Sequence, residues 1–268
     1  MSTLITDWSQ QHVLLTGAQG GLGQELARQL TEKGALVTLV GRREDALREQ
    51  AVTLGQRDLL CDLTHAEDVA ALVDHVQTSR PQITGWIHAA GCSITDLYTH
   101  TPWAKHAEVM QLNTLVPMQL THALLPLLQR QQQTWLLHVG SVFGALGFPT
   151  QASYCASKAA LARFCEALQR ELEPSVCTIM YAAPRAIKTT MNDGVMHRFN
   201  QSSGTHEDSP AHVAGAILRQ IEQGQRRQTI GWPERLFVKL NALVPQLVDA
   251  NLRKPLRQLR QLLQEQNP

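Results

Sequence analysis

Seven short apolar runs alternate with segments of helical periodicity along this chain, and that rhythm constrains the fold most tightly. The runs are His12–Thr16, Ala35–Val40, Asp58–Cys61, Ile83–His88, Thr134–Val139, Val176–Ala182 and Gln228–Gly231. Between them, Leu22–Glu32, Ala66–Gln77, His106–Gln129 and Ser157–Glu173 carry apolar residues at helical spacing. Near-continuous apolar runs suit strands covered on both faces, and strands that alternate with helices form βαβ units. The expected architecture is therefore α/β, a doubly wound, Rossmann-like parallel sheet of about seven strands in a single domain. With 268 residues, 43% of them hydrophobic, the chain can bury a core of that size. No linker-like stretch or internal repeat divides it.

The first strand runs into Thr-Gly-Ala-Gln-Gly-Gly-Leu-Gly at Thr16–Gly23, and a helix pattern follows. Glycines at 17, 21 and 23 suit a tight strand-to-helix turn where backbone approaches a pyrophosphate and the helix start offers unpaired N–H groups. The plainer reading is a turn that only joins strand to helix, and the order strand, turn, helix near the chain start favours the nucleotide. An acidic residue at the end of the second strand would suit a ribose 2′-hydroxyl. This chain has Val-Gly-Arg-Arg at Val40–Arg43 instead. Two guanidiniums match a 2′-phosphate, so NADP(H) is favoured over NAD(H). The competing reading leaves Arg42 and Arg43 as solvated charges at a helix start, paired with Glu44 and Asp45.

Tyr154 and Lys158 are four residues apart, which on a helix places a phenol beside an ammonium. A phenol with an ordinary pKa near 10 can give a proton to a carbonyl, and a neighbouring ammonium would draw it toward the phenolate. A formal net charge of +1 argues against nucleic acid as a partner. The five cysteines, Cys61, Cys92, Cys155, Cys165 and Cys177, show no zinc-site spacing and read as reduced thiols of a cytoplasmic protein, and no metal is expected. The start, Met-Ser-Thr-Leu-Ile-Thr-Asp-Trp, lacks the character of a signal peptide, and no apolar run is long enough to span a membrane.

Taken together, these motifs resemble the short-chain dehydrogenase/reductase family over most of the chain. Thr16–Gly23 is similar to its glycine loop. Cys61-Asp62-Leu63 is similar to its adenine-contacting Asp, and His88-Ala89-Ala90-Gly91 to its Asn-Ala-Gly motif with His in place of Asn. Asn113 falls in the helix where the family keeps a catalytic Asn, and Ser141 precedes Tyr154 by the family's thirteen residues. The resemblance implies a catalytic set of Asn113, Ser141, Tyr154 and Lys158. In it Tyr154 is the general acid/base, Lys158 holds the nicotinamide ribose, Ser141 meets the substrate carbonyl oxygen and Asn113 positions a relay water. It also implies a cofactor set of Gly17, Gln19, Gly20, Gly21, Leu22, Gly23, Arg42, Arg43, Asp62, Leu63, Ala89, Ala90, Gly91, Tyr154, Lys158, Pro184, Ile187 and Thr189. Taken singly, Ser141 could merely end a strand, Asn113 bend a helix and Asp62 cap the helix near Thr64. The implied activity is NADP(H)-dependent interconversion of a carbonyl and an alcohol, in a homodimer or homotetramer. A catalytically silent NADP(H)-sensing protein on the same fold is the alternative.

Two stretches depart from the pattern. A Pro-Gly pair usually precedes the Thr that Thr189 matches, and here Arg185 follows Pro184, which either points into the substrate entrance or forms a surface ion pair. The polar segment Lys188–Pro210 reads as a long mobile excursion and, with its lead-in, as a substrate loop over 185–210. Met191, Val195, Met196 and Phe199 within it hint at a hydrophobic substrate. Residues 1–232 are then the catalytic domain and 233–268 an amphipathic tail, broken by Pro245 and Pro255 into short helices. Leu236, Leu240, Leu243, Leu247 and Leu252 give the tail an apolar stripe, and Arg253, Lys254, Arg257 and Arg260 make its end basic. Packing over the pocket or against a second subunit is preferred for it, with peripheral membrane contact the other option.

Overall fold

The computed structural model describes residues 3–131, 133–172, 176–192 and 194–266. The expected helix end at Glu173, Asp193 of the expected excursion, and residues 1–2 and 267–268 of the two expected regions lie outside the described residues. The apolar runs form seven parallel strands: β1 (His12–Thr16), β2 (Leu36–Gly41), β3 (Arg57–Leu60), β4 (Gly85–His88), β5 (Thr134–Val139), β6 (Cys177–Pro184) and β7 (Arg227–Ile230). They lie in the order β3-β2-β1-β4-β5-β6-β7. From β1 the chain winds outward through β2 and β3, then returns to start β4 on the other side of β1. The switch between β1 and β4 is where the strand ends of such a sheet open a crevice.

Side chains of successive strand residues point to opposite faces, and the core divides accordingly. Val13 and Leu15 enter a layer with Leu22, Leu26 and Leu30 of α1 (Gly21–Glu32), Leu47 of α2 (Glu44–Leu54) and Val213, Ile217 and Ile221 of α8 (Pro210–Glu222). Leu14 enters the other, with Leu72 of α3 (Ala66–Thr78), Leu120 and Leu124 of α5 (Val116–Leu128) and Leu168 of α6 (Ala152–Glu171). Trp86 and Trp135 are fully buried on the central strands. Each such large apolar side chain contributes roughly 1.5–3 kcal/mol through burial.

Three expectations need correction. The helix expected over His106–Gln129 is α4 (Trp103–Met110) running through a wider π-type turn at Gln111–Leu115 into α5. The polar excursion is not a loose loop. It contains α7 (Val195–Ser203), whose Val195, Met196 and Phe199 pack against Leu259 and Leu263, and it is pinned by a bridge between Ile187 and Asp208. In the tail Pro245 does separate two helices, α9 (Glu234–Leu243) and α10 (Pro245–Gln266), but Pro255 lies inside α10. A proline removes one ladder hydrogen bond, and α10 continues because burial of Leu259 and Leu263 beyond it holds the helix to α7.

Candidate functional site

The carboxyl ends of neighbouring strands line a single cleft of about 750 Å³. Following the sheet order, its wall passes from Asp62 after β3 and Arg42 and Arg43 after β2 to the glycine loop after β1. It continues through Ala89–Gly91 after β4 and Ser141 after β5 to Pro184 and Thr189 after β6. The fold thus gathers residues spread over more than half the chain.

The glycine loop is held by contacts that only glycine tolerates at two places. Gly17 has φ +74°, and a Cβ there would stand 2.5 Å from the Ala90 nitrogen. A Cβ on Gly23 would collide with the Gly17 carbonyl oxygen. The left-handed turn and the close helix approach both require the bare backbone. Gln19 is half-buried. Its amide accepts from Arg43 N at 3.0 Å and donates to Arg43 O at 2.7 Å, which fixes the start of α2 beside the loop. Arg42 is 65% exposed in its side chain, with Nη1 3.8 Å from Asp62 Oδ2. Asp62 Oδ1 accepts from both the N–H (2.9 Å) and the hydroxyl (2.7 Å) of Thr64, so it shapes the turn ahead of α3 while lining the cleft. Burial acts to raise its pKa, and the Thr64 bonds and the Arg42 charge bring the net result below the ordinary carboxylate value.

At the other end, α6 begins early enough to enclose both Tyr154 and Lys158 in its first two turns. Lys158 Nζ donates to Val139 O at 3.0 Å and lies 5.8 Å from the centre of the Tyr154 ring. Ser141 lies close enough to the Tyr154 phenol to act on its pKa. The Ser141 hydroxyl oxygen also accepts from Phe143 N at 3.1 Å. Burial pushes the Tyr154 phenol up to about 12, opposed by Ser141. The sequence expectation that Lys158 draws Tyr154 toward the phenolate is therefore corrected: burial dominates. Burial also lowers Lys158 to about 8.

Asn113 is fully buried behind the cleft wall, with its side-chain oxygen against Gly91. Its side chain accepts from Cys92 N at 2.9 Å and donates to Cys92 O at 2.8 Å and Ser157 Oγ at 3.0 Å. It sits in the π-type turn, and Pro117, four residues on, has no N–H to give its carbonyl. His88, where the resemblance expects Asn, bridges strands β1 and β4 through Thr16 Oγ1 at 2.8 Å and packs edge-on against Trp86 and His138. Arg185 lines the cleft, with its guanidinium held in a largely buried ion-pair cluster. It pairs in fork fashion with Asp208 (2.9 Å for both Nε and Nη2) and reaches Trp232 O at 2.7 Å and Glu234 at 3.2 Å. Its backbone is not among the positive-φ positions, so the missing glycine causes no strain.

Several cleft residues carry no sequence signal. Phe143, Leu146 and Phe148 join Met191, Met196 and Phe199 in an apolar end of the cleft. Tyr181 of β6 brackets Ser141 through two long contacts, 3.4 Å from its N–H and 3.5 Å to its carbonyl. Strand register, which brings β5 and β6 side by side, is what places it there.

The model of the short chain dehydrogenase family matches residues 11–198. Nodulation protein G of Rhizobium sp. (strain N33) is 31% identical over 182 residues, covering 67% of this chain and 74% of that protein. A short chain dehydrogenase of Burkholderia cenocepacia in complex with NADP superposes with a TM-score of 0.80 at 23% identity, over 92% of this chain and 99% of the other. A short chain dehydrogenase/reductase of Burkholderia phymatum in complex with NAD gives 0.82 at 17% identity, over 91% and 96%.

Proposed function

The chain belongs to the short chain dehydrogenase family of oxidoreductases, and from that premise we propose that it interconverts a carbonyl and an alcohol with NADP(H), through Tyr154 as general acid/base. The observation that carries this reading is the meeting of Tyr154, Ser141 and Lys158 at one end of a cleft whose other end is a glycine cradle beside two arginines. The cradle fits a dinucleotide, since Gly17 and Gly23 let the bare backbone make the tight turn and α1 turns its unpaired N–H groups toward it.

In this reading Gly17–Gly23 receive the pyrophosphate and Arg42 and Arg43 the 2′-phosphate. Asp62 and Leu63 border the adenine, and Ala89–Gly91, Pro184, Ile187 and Thr189 border the nicotinamide half. The bound nicotinamide supplies hydride chemistry. Lys158 holds ribose hydroxyls, and its carbonyl partner at Val139 fixes the direction of the ammonium. Ser141 donates to the substrate oxygen. Tyr154, protonated at neutral pH, delivers its proton to that oxygen as the carbonyl is reduced; in the reverse direction the phenolate takes it back. Asn113 positions the helix turn behind Lys158, with its carbonyl as the acceptor for a relay water. The apolar end formed by Phe143, Phe148, Met196 and Phe199 favours a hydrophobic substrate. The catalytic unit so proposed spans 1–232, with 185–210 over the substrate and 233–268 as its tail. Trp103, Leu115 and Met118, exposed on the helix through α4 and α5, support a homodimer or homotetramer.

The test is oxidation of NADPH, with NADH in parallel, against aldehydes and ketones graded in chain length and ring size. Turnover that requires NADPH and rises with apolar bulk is expected. Equal use of both cofactors overturns the 2′-phosphate assignment, and binding of NADPH without turnover of any carbonyl favours a sensing role.

A further inference from the structure

Among the described α-helices, α9 alone contains no buried residue. Its polar side ties it to the body: Asn241 donates to Ala145 O at 3.0 Å, Arg235 Nε to Thr229 O at 2.6 Å, and Glu234 accepts from Arg185. Much of its apolar side is open to solvent. Leu236 is 52% exposed, Phe237 45% and Leu243 80%, and the face continues through Trp232 at 69% and Leu247 at 53%. A contiguous apolar surface of this kind on a soluble face marks a contact with something else.

Charge decides what that something is. Arg235 and Lys239 are exposed, one turn apart, along the edge of the apolar arc that Leu236, Leu240 and Leu243 describe. Residues 232–260 hold six basic and two acidic side chains, in a chain whose net charge is only +1. One of those two acids, Glu234, is already paired with Arg185. A two-fold contact between copies would set this face against itself and bring the basic edge near its own like charge. An anionic lipid surface offers the complement instead, with headgroups for Arg235 and Lys239 and an acyl boundary for Trp232, Leu236, Phe237 and Leu243.

We propose that α9, with Trp232 before it and the turn into α10 after it, lies flat on an anionic membrane surface. Glu234 lines the cleft, so this docking sets the cleft rim beside the lipid. The tail is thereby divided between two roles, α10 closing over α7 and α9 facing the bilayer.

The experiment is co-sedimentation of the full chain with extruded vesicles of phosphatidylcholine alone and of phosphatidylcholine mixed with phosphatidylglycerol. The mixed vesicles should take up the protein about thirtyfold better at low salt, as two basic side chains near an anionic surface imply, and added salt should erase the difference. Leu236→Glu with Leu243→Glu should abolish binding to both while leaving the melting temperature unchanged. Lys239→Glu should lower binding to the mixed vesicles about tenfold. Absence of sedimentation with mixed vesicles, or binding by the double Leu variant equal to the parent, overturns the proposal. So does an assembly of the parent in vesicle-free buffer that the double Leu variant dissociates, which would make the face a contact between copies.

Discussion

Arg42 and Arg43 are the pair of residues on which the proposed preference for NADP(H) rests. The Gln19 amide grips the Arg43 backbone on both sides, and the Arg42 guanidinium extends beside Asp62 at 3.8 Å. Charge-assisted hydrogen bonds to a phosphate contribute about 1.5–3 kcal/mol each. Replacing both arginines by Ala should therefore raise KM for NADPH by roughly 100-fold or more while leaving KM for NADH within about threefold. Steady-state kinetics with the two cofactors checks this, and equal losses would contradict it. Arg42 and Arg43 could be singled out in the sequence because their position after a strand carries meaning. Arg185 was legible only as a departure, since its partners Asp208, Trp232 and Glu234 lie 23 to 49 residues away and no local pattern announces them. Likewise the Tyr154–Lys158 spacing was plain, but the upward shift of the phenol comes from burial, which spacing does not encode.

At the scale of elements, α7 and α10 form a two-helix cover over the apolar end of the cleft. Leu259 is fully buried against Val195, Met196 and Phe199. Leu259→Ala removes that contact and should destabilise the chain by about 2–5 kcal/mol. A lowered urea midpoint checks it, and a change within about 0.5 kcal/mol would show that the cover does not stabilise the fold. The inner strands β1, β2, β4, β5 and β6 were the most legible elements, because burial on both faces writes them as apolar runs that admit few alternatives. The α7 helix was harder to see, since only Val195, Met196 and Phe199 of its nine residues are apolar and they lie within a Gly-, Ser- and Asn-rich stretch. The wider turn around Asn113 left no mark either, as one extra residue in a turn barely changes the periodicity of a long helix. Pro255 argued for a break that tertiary packing against α7 overrides.

Across the whole molecule, the sheet centre holds a pair of neutral histidines. His88 and His138 are paired in register on β4 and β5, fully buried, with ring centres 5.8 Å apart. Burial lowers His138 to about 3, helped by the Lys158 charge, and His88 falls well below its ordinary value for the same reason with His138 adding to it. Each is neutral in the fold and binds a proton more readily once unfolded. Their contribution to stability is complete above the unfolded value of about 6.5 and is lost as pH falls from there toward about 3. Denaturant midpoints should thus decline steadily from pH 6.5 downward; a flat profile over that window would contradict the buried neutral pair. The parallel sheet of seven strands followed from the βαβ rhythm, whereas the strand order, the switch between β1 and β4, and the difference between the exposed face of α9 and the packed face of α10 appear only in three dimensions.

The central claim is that Tyr154 moves the proton in a carbonyl–alcohol interconversion. Tyr154→Phe tests it most directly, with kcat measured on whichever carbonyl the parent reduces fastest and NADPH affinity measured separately by titration. A kcat about 10²- to 10⁴-fold lower, with NADPH affinity within about threefold of the parent, is the result this account predicts. Turnover retained within about tenfold of the parent would remove Tyr154 from the chemistry.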